Sequence, residues 1–280
     1  MLRRQRVGSV VCPGCGTLVG VRDERCLTCG RWNPGLWGFW PLLRRAGADL
    51  GFVELVTAGC LALYALALLR SGAAIRTDGL FTFLSPSTSA LFMFGASGAL
   101  PVFGFGRWWT VLSAGWLHAG VLHILFNLLW VRQLGPPAVQ LFGLGRTIII
   151  YTLAGVAGFL TSSVAGWLLP PLPLLGGAQF TVGASAPIFG LLGALLYYGR
   201  QGSRLVRAEA AAYVAALFLF GLVMPGVDNW AHAGGFAGGY LAAWWLNPWR
   251  PERGDHLAGG LLCLLLTVAA VAGSVLDTLL

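Results

Sequence analysis

Apolar stretches near residues 52–69, 118–134, 147–169, 183–199, 209–224, 230–247 and 257–276 have the length, at a helical rise of about 1.5 Å per residue, to cross a hydrocarbon core. Seven such runs leave few folds open. A backbone in lipid must satisfy its own hydrogen bonds, so these runs are expected to be helices of one bundle. Composition agrees, because 57% hydrophobic against 10% charged residues leaves too little polar surface to cover a water-soluble globule. The expected class is an all-α membrane protein. Several runs carry glycines, which in a membrane mark close helix contact. The semi-apolar stretch 80–116 holds Pro86, Pro101 and an interfacial set of Trp108, Trp109 and Trp116. It reads as a long first loop lying partly in the interface, not as an eighth span.

A formal charge of +8 raises the question of nucleic acid, but the arginines are scattered between apolar runs and form no basic stripe, so no nucleic-acid partner is expected. Their placement speaks to topology instead. With the N-terminus inside, only Arg70, Arg76 and Arg107 fall on external segments, and the other arginines, including Arg44 and Arg45 ahead of the first span, fall on internal ones. Residues 1–49 contain no apolar core of a secretory signal. The expectation is a multi-pass protein of a bacterial inner or plasma membrane, with a cytoplasmic N-terminus that stays attached and an external C-terminus.

Four of the six cysteines stand in two pairs in the polar head, Cys12-Pro-Gly-Cys15 and Cys26-Leu-Thr-Cys29, each followed directly by glycine. Two such knuckles supply four thiolates at the spacing of a tetrahedral Zn²⁺ site, and the glycines allow the turn that aims backbone N–H groups at sulfur. Disulfides are the alternative, which a reducing compartment disfavours. Four Cys ligands leave no open position, so the metal is expected to be structural. Arg22, Arg25 and Arg31 around this module are read as a solvated basic surface that could meet a protein, nucleic acid or anionic lipid. Cys60 and Cys263, alone in apolar runs, read as packing residues.

Ionisable and strongly polar residues are costly inside a bilayer, which makes each a functional candidate. They are few: His123 and Asn127 in the second span, Ser185 opening the fourth, and Asn229 and His232 opening the sixth. His118 stands at the entrance of the second span, as an interfacial or a site residue; His256 reads as solvated. Spans two, four and six all enter from the external side, and His123, Ser185 and His232 lie within roughly 10 Å of those entrances. Three spans thus deliver polar groups to one depth. Ser and His there suggest nucleophilic catalysis with imidazole as base. Asp228 is the only acidic residue near the outer ends of these spans, so a dyad is expected over a triad. His123 and Asn127, four apart, share a helix face and aim donors at one point, where the backbone N–H of Ser185 at a helix N-terminus can add a third.

These residues resemble the rhomboid intramembrane proteases. His123-Ile-Leu-Phe-Asn127 matches that family's H-x-x-x-N motif, Gly183-Ala-Ser185-Ala its G-x-S-G motif, and Ala231-His232-Ala-Gly-Gly-Phe-Ala-Gly-Gly239 its A-H-x-x-G-x-x-x-G motif. The resemblance covers roughly residues 50–250. It implies a six-helix bundle, here with one additional C-terminal transmembrane helix and the zinc ribbon. It also implies Ser185 as nucleophile, His232 as base, His123 and Asn127 as oxyanion-hole residues, and Phe189 packed against the imidazole. Gly234 and Gly238, like Gly235 and Gly239, stand four apart and let another helix approach.

Three positions depart from the family pattern: Ala186 replaces the last Gly of the serine motif, Thr110 follows the Trp pair where the family has Arg, and Val139 with Gln140 stands where a Glu is common. Gly95-Ala-Ser97-Gly98 fits G-x-S-G more literally, but it precedes the H-x-x-x-N span and opens no apolar helix, so Ser97 is set aside.

The expected organisation is a cytoplasmic zinc-ribbon module over 1–35, a linker over 36–51, a protease domain over 52–249, and a C-terminal loop and extra helix over 250–280. The expected function is cleavage of transmembrane segments of membrane proteins near the external face, with no cofactor in the chemistry. The bilayer, transmembrane substrates and a cytoplasmic partner of the ribbon are the expected partners. The alternatives are a rhomboid-like protein that binds membrane clients without cutting them, and a transporter, whose ionisable groups would be wanted nearer the bilayer centre.

Overall fold

The computed structural model describes residues 4–40, 49–79, 82–170 and 176–280. Arg3, the linker residues 41–48 with Arg44 and Arg45, and the first two residues of the 80–116 loop lie outside the described residues.

The described residues form seven long helices where the apolar runs predict them: α1 Phe52–Ser71, α2 Val121–Phe142, α3 Leu144–Leu168, α4 Ser185–Arg200, α5 Arg204–Val223, α6 Asn229–Leu246 and α7 Gly254–Leu279. Four of them, α1, α3, α5 and α7, are long and apolar enough to cross a membrane by length and composition. A fifth span follows if the short helical segment Thr110–Trp116 and α2, bent by 93°, count as one. The two remaining, α4 of 16 residues and α6 of 18, are the glycine-bearing helices at the centre of the bundle.

Helix α2 runs eight residues past the apolar stretch, through Pro136 and Pro137 to Phe142. Proline forfeits two backbone hydrogen bonds there. Packing offsets the loss: Val53 of α1 stands where a methyl on Gly135 would come to 2.7 Å, and Leu134, Ala138, Val139 and Phe142 are buried in the core. One residue, Gly143 at φ 88°, then turns the chain into α3.

The two glycine pairs of α6 serve two different neighbours. Gly234 and Gly238 face Thr161 and Ala157 of α3, while Gly235 and Gly239 face the backbone of Ala186 and Gly190 on α4. Small residues on both flanks let three helices pack nearly backbone to backbone. Between α1 and α2 the loop is built of short helical turns, Thr88–Met93, Leu100–Gly104 and Thr110–Ser113.

The N-terminal module is a β-ribbon, Ser9–Val11 antiparallel to Leu18–Gly20 with Val10 opposite Val19, over a small core of Val10, Val19, Val21 and Trp40 beside Cys12 and Cys26. It sits against the end of the bundle formed by the α2–α3 and α6–α7 junctions. Here Arg31 is no solvated residue: its side chain is 2% exposed and pairs with Glu252 at 3.9 Å. Glu252 also accepts from the backbone N–H of Arg146. Arg146 in turn is buried and donates to the carbonyls of Phe142, Arg250 and Pro251 and, through Nε, to His256 Nδ1 at 3.1 Å. The solvated reading of His256 is corrected by the same bonds. Each correction rests on a buried arginine, Arg31 of the ribbon in one case and Arg146 at a helix junction in the other, that must find acceptors once packing excludes water.

Candidate active site

Helix α4 begins at Ser185, and Pro187 in its first turn costs no helical hydrogen bond. The early N–H groups of α4 therefore remain free to donate, at the positive end of the helix dipole. Gly183, two residues earlier, has φ 132°, a conformation that excludes side chains for steric reasons. A methyl on it would come within 2.6 Å of His123 Nε2 and 3.7 Å of Asn127 Nδ2, so the turn into α4 lies directly against the H-x-x-x-N face of α2.

The backbone N–H of Ala119 donates to His123 Nδ1 at 3.3 Å. That bond assigns the tautomer: Nδ1 accepts, so Nε2 carries the proton and presents a donor toward Gly183. Asn127 is buried and donates one amide hydrogen to the His123 carbonyl at 2.9 Å, which fixes its amide and leaves its second hydrogen available on the same side. His118 is fully buried with its ring edge-on to His123 at 5.2 Å, a packing support for that ring and not an interfacial group.

His232 lies in the first turn of α6, 6% exposed. Its ring stacks on Phe189 with centroids 4.1 Å apart and planes 17° apart, and Phe218 of α5 closes on the same phenyl ring at 4.8 Å. Ser185 stands one turn ahead of Phe189 on the same face of α4, so the imidazole covers the turn that begins with Ser185. His232 Nδ1 has no hydrogen-bond partner among the described residues. Asp228 is engaged elsewhere, capping α6 through the Ala231 N–H at 3.0 Å and accepting from the Ser162 hydroxyl at 2.6 Å. Ser162, which sequence reasoning missed, is fully buried and also accepts from the Ala178 N–H. Asn229 donates to the Gly221 carbonyl and ties the end of α5 to the start of α6.

The departures from the family pattern find physical explanations. The methyl of Ala186 is buried against Gly158 of α3, where a glycine on the neighbour has made the space. Val139 is a core residue of α2. Thr110 donates to the carbonyl of Arg107, and Arg107 itself is the buried arginine of the loop. Ser97 is no surface nucleophile: fully buried, it exchanges two backbone hydrogen bonds with Thr181 on the strand leading to Ser185.

At the opposite end of the bundle the four ribbon cysteines converge, their sulfurs all within 4.8 Å of one another. Cys12 Sγ lies 3.7 Å from Cys29 Sγ and Cys15 Sγ 3.5 Å from Cys26 Sγ. A tetrahedron of Zn–S bonds of about 2.3 Å has edges near 3.8 Å, so the donor set and spacing fit a divalent metal. Hydrogen bonds from Thr17 bring the Cys15 thiol down to about 6, while burial pushes Cys29 up to about 12. Four thiolates this close repel one another, and a cation is what would let all of them ionise.

The rhomboid domain model matches residues 105–249, a little over half of the chain. Among curated proteins, the "Rhomboid protease GluP" of Bacillus subtilis (strain 168) is 32% identical over 189 residues, 66% of this chain and 35% of that protein. "RHOMBOID-like protein 7" of Arabidopsis thaliana is 32% identical over 211 residues, 68% of this chain and 64% of the relative. "RHOMBOID-like protein 2" of the same plant is 35% identical over 174 residues, 60% and 51% respectively. The chain thus spans between about a third and two thirds of these relatives' lengths.

Proposed function

The chain belongs to the rhomboid family of multi-pass membrane proteins, and from that premise we propose that it is an intramembrane serine endopeptidase acting through a Ser185–His232 dyad. The observation that carries the reading is the convergence at the start of α4. Gly183 lies against the Nε2 donor of His123, and His232 stacks on Phe189 over the turn opened by Ser185. In this reading the Ser185 hydroxyl attacks a peptide carbonyl while His232 takes its proton and later delivers it to the leaving amine. His123 Nε2–H, the free amide hydrogen of Asn127 and the N–H groups at the α4 N-terminus stabilise the oxyanion, and the dipole adds to them. The base works without a carboxylate behind it, since Asp228 is spent on the cap of α6; the stacked phenyl ring orients the imidazole instead.

Substrates are transmembrane segments that unwind locally to expose a carbonyl, since intact helix shields its backbone. By family resemblance, small residues mark the cleavage point. The ribbon holds a structural Zn²⁺ through Cys12, Cys15, Cys26 and Cys29, with no part in the chemistry. The site opens externally, the ribbon lies in the cytoplasm with any cytoplasmic partner, and the membrane is a bacterial inner or plasma membrane.

The test is labelling by a fluorophosphonate together with cleavage of a model transmembrane substrate. Ser185→Ala and His232→Ala should abolish both, and Ser97→Ala should leave labelling at Ser185 detectable. Label retained in Ser185→Ala, or a wild-type chain that binds substrate and neither labels nor cleaves, would overturn the reading in favour of a client-binding protein without protease activity.

A further inference from the structure

Helix α7 lies beyond the last residue matched by the family model, yet its outer end grips the loop in front of the site. Arg107, 1% exposed, donates through Nη2 to the Ser274 carbonyl at 2.7 Å and to Thr278 Oγ1 at 3.3 Å, and its Nε pairs with Asp277 at 3.1 Å. Its Nη1 donates to the Phe92 carbonyl at 2.8 Å, and its guanidinium lies 4.0 Å from the Phe92 ring centre. Trp109 Nε1 donates to Ser274 Oγ at 3.0 Å. Ser274, Asp277 and Thr278 are spaced three and four apart, so a single stripe of α7 makes the whole grip.

The gripped loop holds the serine turn. Ser113 Oγ donates to the Gly95 carbonyl at 2.7 Å, joining the two ends of the loop's middle section. From one end, Ser97 pairs with Thr181 through two backbone hydrogen bonds. From the other, the Ala114 carbonyl accepts from the Gly183 N–H at 3.0 Å. The strand 181–183 therefore hangs from the loop at two points, and the turn it leads into is the one set against His123. A buried guanidinium that loses acceptors is left with an uncompensated charge, which makes the grip stiff.

We propose that α7 positions the site: through Arg107 and Trp109 it locks the first loop, and through the loop it fixes the register of Gly183 and Ser185 against His123. Arg107, Ser274 and Asp277 act here as positioning residues that touch neither substrate nor the reacting atoms. The inference rests on the reading of Ser185 and His232 given above.

The test uses the full chain in nanodiscs, comparing wild type with Ser274→Ala, Asp277→Asn and Arg107→Gln. Three quantities are measured: the second-order labelling rate at Ser185, kcat and KM for a transmembrane substrate, and amide exchange by mass spectrometry. Ser274→Ala, which removes the acceptor of Trp109 Nε1, and Asp277→Asn, which removes the charge paired with Arg107, should lower the labelling rate and kcat by about 10-fold, on the scale of a slightly misplaced site, with KM within about 2-fold. Asp277→Asn should add little in the Arg107→Gln background, because both act through one unit. Exchange should accelerate at Ser97, Thr181 and Gly183, remote from the substituted atoms; a purely local structural role would accelerate it only around 107–110. Wild-type labelling rates and wild-type exchange at 181–183 in both mild variants would overturn the brace and leave the protease reading intact. A wild-type chain that never labels would instead sink the protease reading, and the exchange pattern would then decide the brace by itself.

Discussion

Gly183 bears more of the site's geometry than any polar residue beside it. Its φ of 132° and the 2.6 Å at which an added methyl would meet His123 Nε2 together exclude a side chain. Gly183→Ala should therefore cut turnover by about 100-fold or more while Ser185 and His232 remain in place, as measured by kcat on the model substrate. His123→Ala or Asn127→Ala should each cost ~10- to 1000-fold for the loss of one donor, and unchanged turnover in both would remove the pair from the oxyanion hole. The polar members of this constellation were legible in the sequence because a polar residue in an apolar run is conspicuous, and because three such residues fell at one depth. Arg107 was legible only as one of the three arginines on external segments, the departure beside the Trp pair being Thr110. Its role depends on acceptors offered by Phe92 and by Ser274 far along the chain, and no local pattern announces a backbone carbonyl as a partner.

Among the elements, α6 shows how spacing converts into architecture. Its glycines four apart were readable as a close-contact face, but the sequence did not say that two offset pairs serve two different helices. Gly239 abuts the backbone of Gly190, which has no side chain to move aside, so Gly239→Val should overpack the α4–α6 contact by about 1–3 kcal/mol. Gly202 has nothing within 4 Å of an added methyl, and Gly202→Ala should change stability by no more than about 0.5 kcal/mol. Thermal unfolding of the two variants in one detergent makes the comparison, and equal midpoints would show that the contact is looser than its geometry. The positions of all seven helices were legible from apolar runs alone. The continuation of α2 through Pro136 and Pro137 was not, because local rules end a helix there and tertiary packing, of Gly135 against α1 and of Leu134, Ala138, Val139 and Phe142 in the core, outweighs them.

Across the whole molecule, α7 spans about 39 Å from Gly254 to Leu279, with the ribbon at one end and the serine site's loop at the other. The two centres therefore lie at opposite ends of a helix long and apolar enough to cross a membrane. A single cysteine at Gly202, on a background without other thiols, should be shielded from an impermeant reagent in intact cells, and one at Gly176 should react; the opposite pattern would invert the orientation. The cysteine cluster was legible from spacing, whereas its docking on the bundle was not, since it depends on Arg31 meeting a Glu252 that sequence pattern does not link to it. That docking is asymmetric. The side-chain hydrogen bonds of Arg146 all lie within the bundle, so the membrane domain keeps its own network without the ribbon, while the ribbon's small core would rely on a metal held by its four cysteines. Glu252→Gln removes the ion pair and leaves the four cysteines untouched. At 3.9 Å the pair is wider than an intimate buried bridge, so its loss should cost the docking about 1–3 kcal/mol. The expected result is one bound zinc per chain as in the wild type, with faster proteolysis in the 36–51 linker and unchanged labelling at Ser185. Chelation should also expose the linker, but by unfolding the ribbon, and a truncation beginning near Leu36 should lose the zinc and still label. Zinc lost in Glu252→Gln would mean that docking and metal binding are one event, and labelling lost on truncation in a folded chain would mean that the bundle depends on the ribbon after all.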